Sequence, residues 1–183
     1  MKTRQHGFTM IELIVVIVIL GILAAVALPR FSNIQRDARI AKLNAARGAV
    51  QAASAMIQGT VLVRGGQADT AACPGVTPAV TANNTTTVCT QHGIVSIING
   101  YPTANLGGII DAAGLTSTFP ATAAALTAEG YATTGGGALI GSALVVQVTG
   151  GTNAANCSFT YSPSNGGAAN SAAVIGANVM TGC

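Results

Sequence analysis

Three features of the sequence predict an α+β chain, with a long N-terminal α-helix packed on a C-terminal antiparallel β-sheet head. Residues 8–28 are an apolar run carrying one charge, Glu12. Residues 29–62 continue with apolar side chains at helical spacing, and residues 138–180 hold short β-type runs separated by Gly-, Asn- and Pro-containing turns. With 183 residues, half of them hydrophobic, the chain can bury one core beside such a helix. The expected divisions are a leader at 1–7, a helix at 8–62 with an apolar part (8–28) and an amphipathic part (29–62), and a head at 63–183.

Charge separates the two parts of the chain. Asp, Glu, Lys and Arg make up 7% of the residues, against about 25% in an ordinary soluble domain, so the surface has to be neutral and polar. All eight Lys and Arg lie within residues 1–64, whereas residues 65–183 carry only Asp69, Asp111 and Glu129. A surface that tracks nucleic-acid phosphates needs clustered cations, which the head lacks, so no nucleic-acid partner is expected.

The N-terminal run reads as a membrane span behind a short basic leader, MKTRQHG. At about 1.5 Å per residue, a helix over 8–28 is roughly 31 Å long, the thickness of a bilayer's hydrocarbon core. A carboxylate inside such a span costs about 2.5–3.5 kcal/mol, so Glu12 calls for a partner. If the chain is cut between Gly7 and Phe8, the new amino group lies four residues from Glu12. That is a poor placement within one helix, but the amine can meet Glu12 of a neighbouring copy and so set an assembly register. The alternative is a carboxylate near the membrane surface that stays hydrated or protonated.

The residues G-F-T-M-I-E, with a basic leader before them and an apolar run after them, resemble the prepilin signature of type IV pilins and pseudopilins. The resemblance implies a membrane peptidase that cuts after Gly7 and N-methylates Phe8, and a docking role for Glu12. Gly21 and Pro29 match positions between which the helix is unwound in assembled filaments, in keeping with the weak helix propensity of Gly and the missing N–H of Pro. Met10 departs from the pattern, standing where Leu is commoner. A narrower resemblance, to mannose-sensitive haemagglutinin pilins of the type IVa class, is carried by R-F-S-N-I-Q-R-D-A-R-I-A-K-L-N-A-A-R-G-A-V-Q-A-A and by N-C-S-F-T-Y at 156–161. The implied partners are other copies of the subunit, the inner membrane, the prepilin peptidase and the pilus assembly machinery. The implied location is a single-pass inner-membrane precursor, then an extracellular pilus used in attachment, and no cofactor or metal is expected.

A rival reading takes the same letters as a secretory signal cut after Ala27, at Ala25-Val26-Ala27, releasing a soluble binding domain. It leaves Glu12 unexplained. The positive-inside rule opposes the membrane-anchored reading, because Arg30, Arg36, Arg39 and Lys42 outnumber Lys2 and Arg4. The cysteines oppose a cytoplasmic head. Cys73, Cys89, Cys157 and Cys183 form an even set beyond an apolar segment, which points to an oxidising compartment. Three connectivities are open; the sequence-local pairs Cys73 with Cys89 and Cys157 with Cys183 are favoured over free buried thiols, each loop adding about 3 kcal/mol. Zinc is disfavoured, since His92 is the only nearby imidazole and no C-x-x-C occurs.

Beyond the apolar run, Ile40, Leu43, Ala46, Val50, Ala53 and Ile57 form a helical stripe toward the head, and Gly59 with Gly65-Gly66 marks the helix end. Arg36, Asp37, Arg39, Lys42 and Arg47 read as a solvated face, with pairing between subunits as the alternative. In the head, residues 67–92 read as a loop stapled by Cys73 and Cys89. Residues 94–98 read as a strand ended by Asn99-Gly100, after which Tyr101-Pro102 continues the loop. Short helical turns are expected within 105–115 and 121–130, and Gly135-Gly136-Gly137 as a flexible turn. Residues 138–148, 157–161 and 172–180 predict an antiparallel meander with Cys157, Phe159 and Tyr161 facing the helix and Ser158, Thr160 and Ser162 facing water. The resemblance implies that 67–92 and 157–183 are exposed on a filament.

No catalytic constellation is legible. The imidazoles are His6 and His92 alone, and no Ser or Cys has a base and an orienting acid near it in sequence, so an enzyme is not expected. No D-x-D-x-D-G loop occurs, which weakens a secretion-pseudopilin reading. The sequons at Asn83, Asn84 and Asn156 are at the frequency chance gives a chain rich in Asn and Thr. The first reading is therefore a major pilin, with a minor pilin or secretion pseudopilin, and the secreted soluble domain, as alternatives.

Overall fold

The computed structural model describes residues 7–163 and 172–183, with the backbone alone at 28–32. Residues 1–6 of the leader and residues 164–170 of the last expected turn lie outside the described residues. The architecture is α+β, a long N-terminal helix followed by short helices and antiparallel sheets. It divides into two compact units, Met1–Ala38 and Arg39–Cys183.

Helix α1 is Met10–Arg64. It ends where Gly65 and Gly66 turn into the left-handed region, at φ +57° and +73°, with the Gly65 N–H still donating to the Val61 carbonyl. Gly59 does not stop it. A Cβ at Gly59 or at Gly21 would meet no neighbouring atom, so nothing in this chain's own packing requires either glycine.

In the second unit the predicted stripe is the buried one. Leu43 and Val50 are fully buried, Ala46, Ala53 and Ile57 nearly so, and Ile40 packs at the margin. Two sheets cover it. The first has the order β1 (Thr87–Cys89), β2 (Ile94–Ile98), β3 (Tyr101–Pro102), all antiparallel. Val88, Val95 and Ile97 pack with Ile57 as a small separate core. The β2–β3 turn is Asn99-Gly100, both at positive φ, the conformation this dipeptide favours between paired strands. Tyr101-Pro102 is therefore a strand, not loop, and the loop expected over 67–92 contains β1. A two- or three-residue strand carries too little alternation to be read from sequence.

A π-helical turn (Leu106–Ile110) runs into a single α-turn, α2 (Asp111–Ala113), and α3 (Ala123–Ala128) is N-capped by the Thr122 hydroxyl. The second sheet is β4 (Tyr131–Gly135), β5 (Leu144–Val148), β6 (Ser158–Ser162) and β7 (Val174–Ile175), antiparallel in chain order. The meander is thus one strand larger than expected. Gly135 closes β4 opposite Leu144 and is not part of a free turn. Phe159 and Tyr161 of β6 are fully buried against the helix stripe, with Cys157 beside them. Ser158, expected toward water, is buried, because Val179 bridges over it and its hydroxyl donates to the Ala155 carbonyl. The Tyr161 hydroxyl donates to the Pro102 carbonyl at 2.7 Å, joining the two sheets. Burial pushes its ionisation far above the ordinary tyrosine value.

Candidate functional site

The first unit exposes the chemistry that the sequence singles out. Gly7 and Phe8 precede the helix, and Phe8 is 90% exposed, so the bond between them lies in accessible, non-helical backbone. Thr9 is the N-cap residue. The Glu12 carboxylate accepts from the Thr9 N–H at 2.9 Å and from the Thr9 hydroxyl at 2.8 Å, and that hydroxyl accepts from the Glu12 N–H at 3.3 Å. This reciprocal arrangement is a capping box, T-x-x-E, worth about 1 kcal/mol for the cap alone and favoured by a negative charge at a helix N-terminus. Sequence reasoning missed this partner, although Thr9 three residues before Glu12 and ahead of an apolar run was the signal. Both Thr9 bonds fall on Oε2, and Oε1 has no partner among the described residues.

Downstream of the cap, Met10–Ala27 has a mean hydropathy of 3.0 and none of it is buried, a helix long and apolar enough to cross a membrane. Thirteen large aliphatic side chains between Met10 and Val26 are about half exposed or more. Removing the exposed part of these side chains from water is worth roughly 10–25 kcal/mol, comparable to or above the about 5–15 kcal/mol that stabilises a whole domain. Such a surface needs lipid or protein around it. Gly21 lies inside this stretch, and α1 passes through both Gly21 and Pro29 without a break.

Arg39, Lys42 and Arg47 of the amphipathic part are not a solvated face but are engaged within the chain. Arg39 Nε donates to the Cys183 carbonyl at 2.5 Å and Arg47 Nε to the Gly176 carbonyl at 2.9 Å. The Lys42 ammonium donates to the Glu129 carbonyl and sits 4.4 Å from the Tyr131 ring centroid. Three of the four basic residues from 36 to 47 thus clamp the second unit's own backbone, leaving Arg36 and Asp37 exposed in the first unit. Side chains spaced along one helix flank can reach carbonyls at strand ends, a long-range pairing that spacing alone does not reveal.

Disulfides join Cys73 to Cys89 and Cys157 to Cys183. The first bounds a segment further held by Asn84, fully buried at φ +54°, whose amide donates to the Gln67 carbonyl and to Asp69. Arg64 pairs with Asp69 at 2.9 Å and bonds Asn84 as well. The Asn83 side-chain Oδ1 accepts from the N–H groups of Thr85, Thr86 and Thr87, a local turn that delivers the chain into β1. Two of the three sequon asparagines, Asn83 and Asn84, are therefore structural. Among the described residues no group of three His, Cys, Asp or Glu is placed to hold a metal ion.

Residues 2–28 match the prokaryotic N-terminal methylation motif. The chain is 49% identical over 53 residues to the type IV narrow pilus major component PilA5 of Thermus thermophilus, a match covering 29% of this chain and 46% of that protein. It is 40% identical over 53 residues to the type IV major fimbrial protein FimA of Dichelobacter nodosus, covering 29% and 34%. It is 52% identical over 42 residues to the type IV major pilin protein PilE1 of Neisseria gonorrhoeae, covering 23% and 26%. The matched region spans between about a quarter and a half of these relatives' own lengths. No solved structure matches. The N-terminal segment accordingly carries the methylation motif and is similar to the corresponding segment of type IV pilins and fimbrial proteins.

Proposed function

We propose that this chain is a structural, non-catalytic protein, the major subunit of a type IV pilus. It is held in the inner membrane as a single-pass precursor by residues 8–28, cut between Gly7 and Phe8 by a prepilin peptidase, and N-methylated on Phe8. The observation that carries this reading is the wholly uncovered apolar helix from Met10 to Ala27 directly behind a capped, accessible motif. Extraction from lipid by an assembly machine and re-burial among other copies exchanges one apolar environment for another. The relatives' names, major pilins and fimbrial proteins, favour the abundant subunit over a minor pilin or a pseudopilin.

Glu12 sets the register in this proposal. Its Oε2 stays on Thr9, while Oε1 is available to the Phe8 amine of a neighbouring copy, so cap and register pairing coexist. Unwinding between Gly21 and Pro29 belongs to the assembled state. It is supported by the weak helix propensity of Gly21 and by the N–H that Pro29 lacks. Surface attachment follows the haemagglutinin-type resemblance, with the two disulfide-bounded regions outermost.

Mass spectrometry of the N-terminal peptide from protein sheared off the cell surface tests the reading. A methylated start at Phe8 is expected. A start at Leu28 establishes a secreted soluble domain instead, and a Phe8 start found only in cell envelopes establishes a minor or secretion subunit.

A further inference from the structure

The charges of the second unit leave one acid over. Its four Lys and Arg are engaged elsewhere: Arg39 with Cys183, Lys42 with Glu129 and Tyr131, Arg47 with Gly176, Arg64 with Asp69. Glu129 is exposed. Asp111 is half-buried, and no cation among the described residues touches it. Its Oδ1 accepts from the Ala121 N–H at 2.7 Å, which fastens the 115–121 loop. An amide oxygen makes the same bond, so this bond explains an acceptor at 111 and not a charge. Burial pushes the Asp111 carboxyl above its ordinary value, against the pull of that N–H.

Asp111 lines a cavity of about 440 Å³ with His92, Gly114, Thr116, Thr118 and Phe119. The walls are fixed. The Phe119 ring lies only 2.0 Å from where a Cβ on Gly93 would stand, and Gly93 has φ +147°, so residue 93 has to be glycine for the ring to occupy that wall. The Thr116 hydroxyl donates to the Thr118 carbonyl at 2.8 Å, holding the rim. The cavity therefore offers a carboxylate, the His92 imidazole, an aromatic ring, and hydroxyl and carbonyl oxygens, with no Lys or Arg in its wall. An anion is repelled there. A positively charged nitrogen gains a counter-charge, a π surface and acceptors together.

We propose that this cavity binds an organic ammonium ion, with Asp111 as the counter-charge and Phe119 as the aromatic wall. The site does not depend on polymerisation, so it stands or falls apart from the filament reading. Primary and quaternary ammonium share the required chemistry.

The test is an amide NMR titration of the full chain in detergent micelles. Methylammonium chloride and tetramethylammonium chloride are the probes, with sodium chloride at equal ionic strength as the reference. Saturable shifts at His92, Gly114 and Phe119 are expected with an ammonium salt and not with sodium, and the tighter probe tells a primary from a quaternary ligand. Asp111→Asn, which keeps an acceptor for the Ala121 N–H, is expected to weaken binding by about tenfold or more. Phe119→Leu, which still fills the space over Gly93, is expected to weaken it by about two- to fivefold. Retained exchange protection of the Ala121 amide in Asp111→Asn shows the loop intact. Linear shifts equal to those in sodium, or undiminished affinity in Asp111→Asn with the loop intact, overturn the proposal.

Discussion

The two units of this chain use apolar residues in opposite ways. From Arg39 onward every large aliphatic of the helix stripe finds cover within the chain, and Leu43, Val50, Phe159 and Tyr161 share one core. From Met10 to Ala27 none does. The first pattern describes a body that folds on its own terms. The second describes a surface that needs lipid or another protein to complete it. The same contrast appears in the polar groups. Arg39, Lys42 and Arg47 are consumed within the second unit, whereas Glu12 keeps one carboxylate oxygen without a partner among the described residues.

The contrast can be broken most forcefully by matched truncations in the two units. Phe159→Ala, in the covered core, is expected to cost about 3–5 kcal/mol of the second unit's stability, read as the denaturation midpoint. Ile17→Ala, in the uncovered helix, should leave that midpoint unchanged. Equal losses would mean that the helix is covered within the chain after all. The Cys157–Cys183 bridge comes next. Cys157→Ser is expected to lose about 2–5 kcal/mol by the same measure, since the bridge ties the start of β6 to the segment that Arg39 clamps.

A smaller effect separates the two roles of Glu12. Thr9→Ala removes the cap hydroxyl and is expected to cost about 1 kcal/mol of local helix stability, seen as faster amide exchange at Met10–Glu12 in micelles, with Leu43–Val50 unaffected. Unchanged exchange at Glu12 would show that the capping box contributes nothing.

The smallest expected effect concerns Asp111. Its carboxyl titrates above the ordinary value when folded, so the folded state holds the proton more tightly. The contribution is favourable below the ordinary Asp range and is lost as pH rises through the raised value. Asp111→Asn is therefore expected to be slightly more stable than the parent at neutral pH, with the gap closing in acid. A variant less stable at neutral pH would mean that the charge is already paired.

Much of this was legible in the sequence because it is written in long periods. The stripe Leu43–Ala46–Val50–Ala53–Ile57, the apolar run, the strand at 94–98 with its Asn-Gly turn and the inward set Cys157, Phe159, Tyr161 all rest on repeats or on a dipeptide with one conformational preference. What escaped rests on short or distant pairings. β1 and β3 are three and two residues long. β4 ends in a glycine run that reads as a turn, and Ser158 is covered only because Val179 folds back over it. At the site, the Thr9 and Glu12 pairing was readable from T-x-x-E but was eclipsed by the question of what a buried acid does in a membrane. The clamping roles of Arg39, Lys42 and Arg47 depend on carbonyls 87 to 144 residues away, which no local pattern encodes.

The central claim is that the helix uncovered in the single chain is covered by other copies. Electron cryo-microscopy of filaments sheared from the cell surface tests it directly. A reconstruction is expected in which residues 10–27 of each subunit are enclosed by the same segment of its neighbours, with Glu12 beside a neighbour's Phe8. Filaments that lack this chain, or a helix that remains exposed within them, would contradict it.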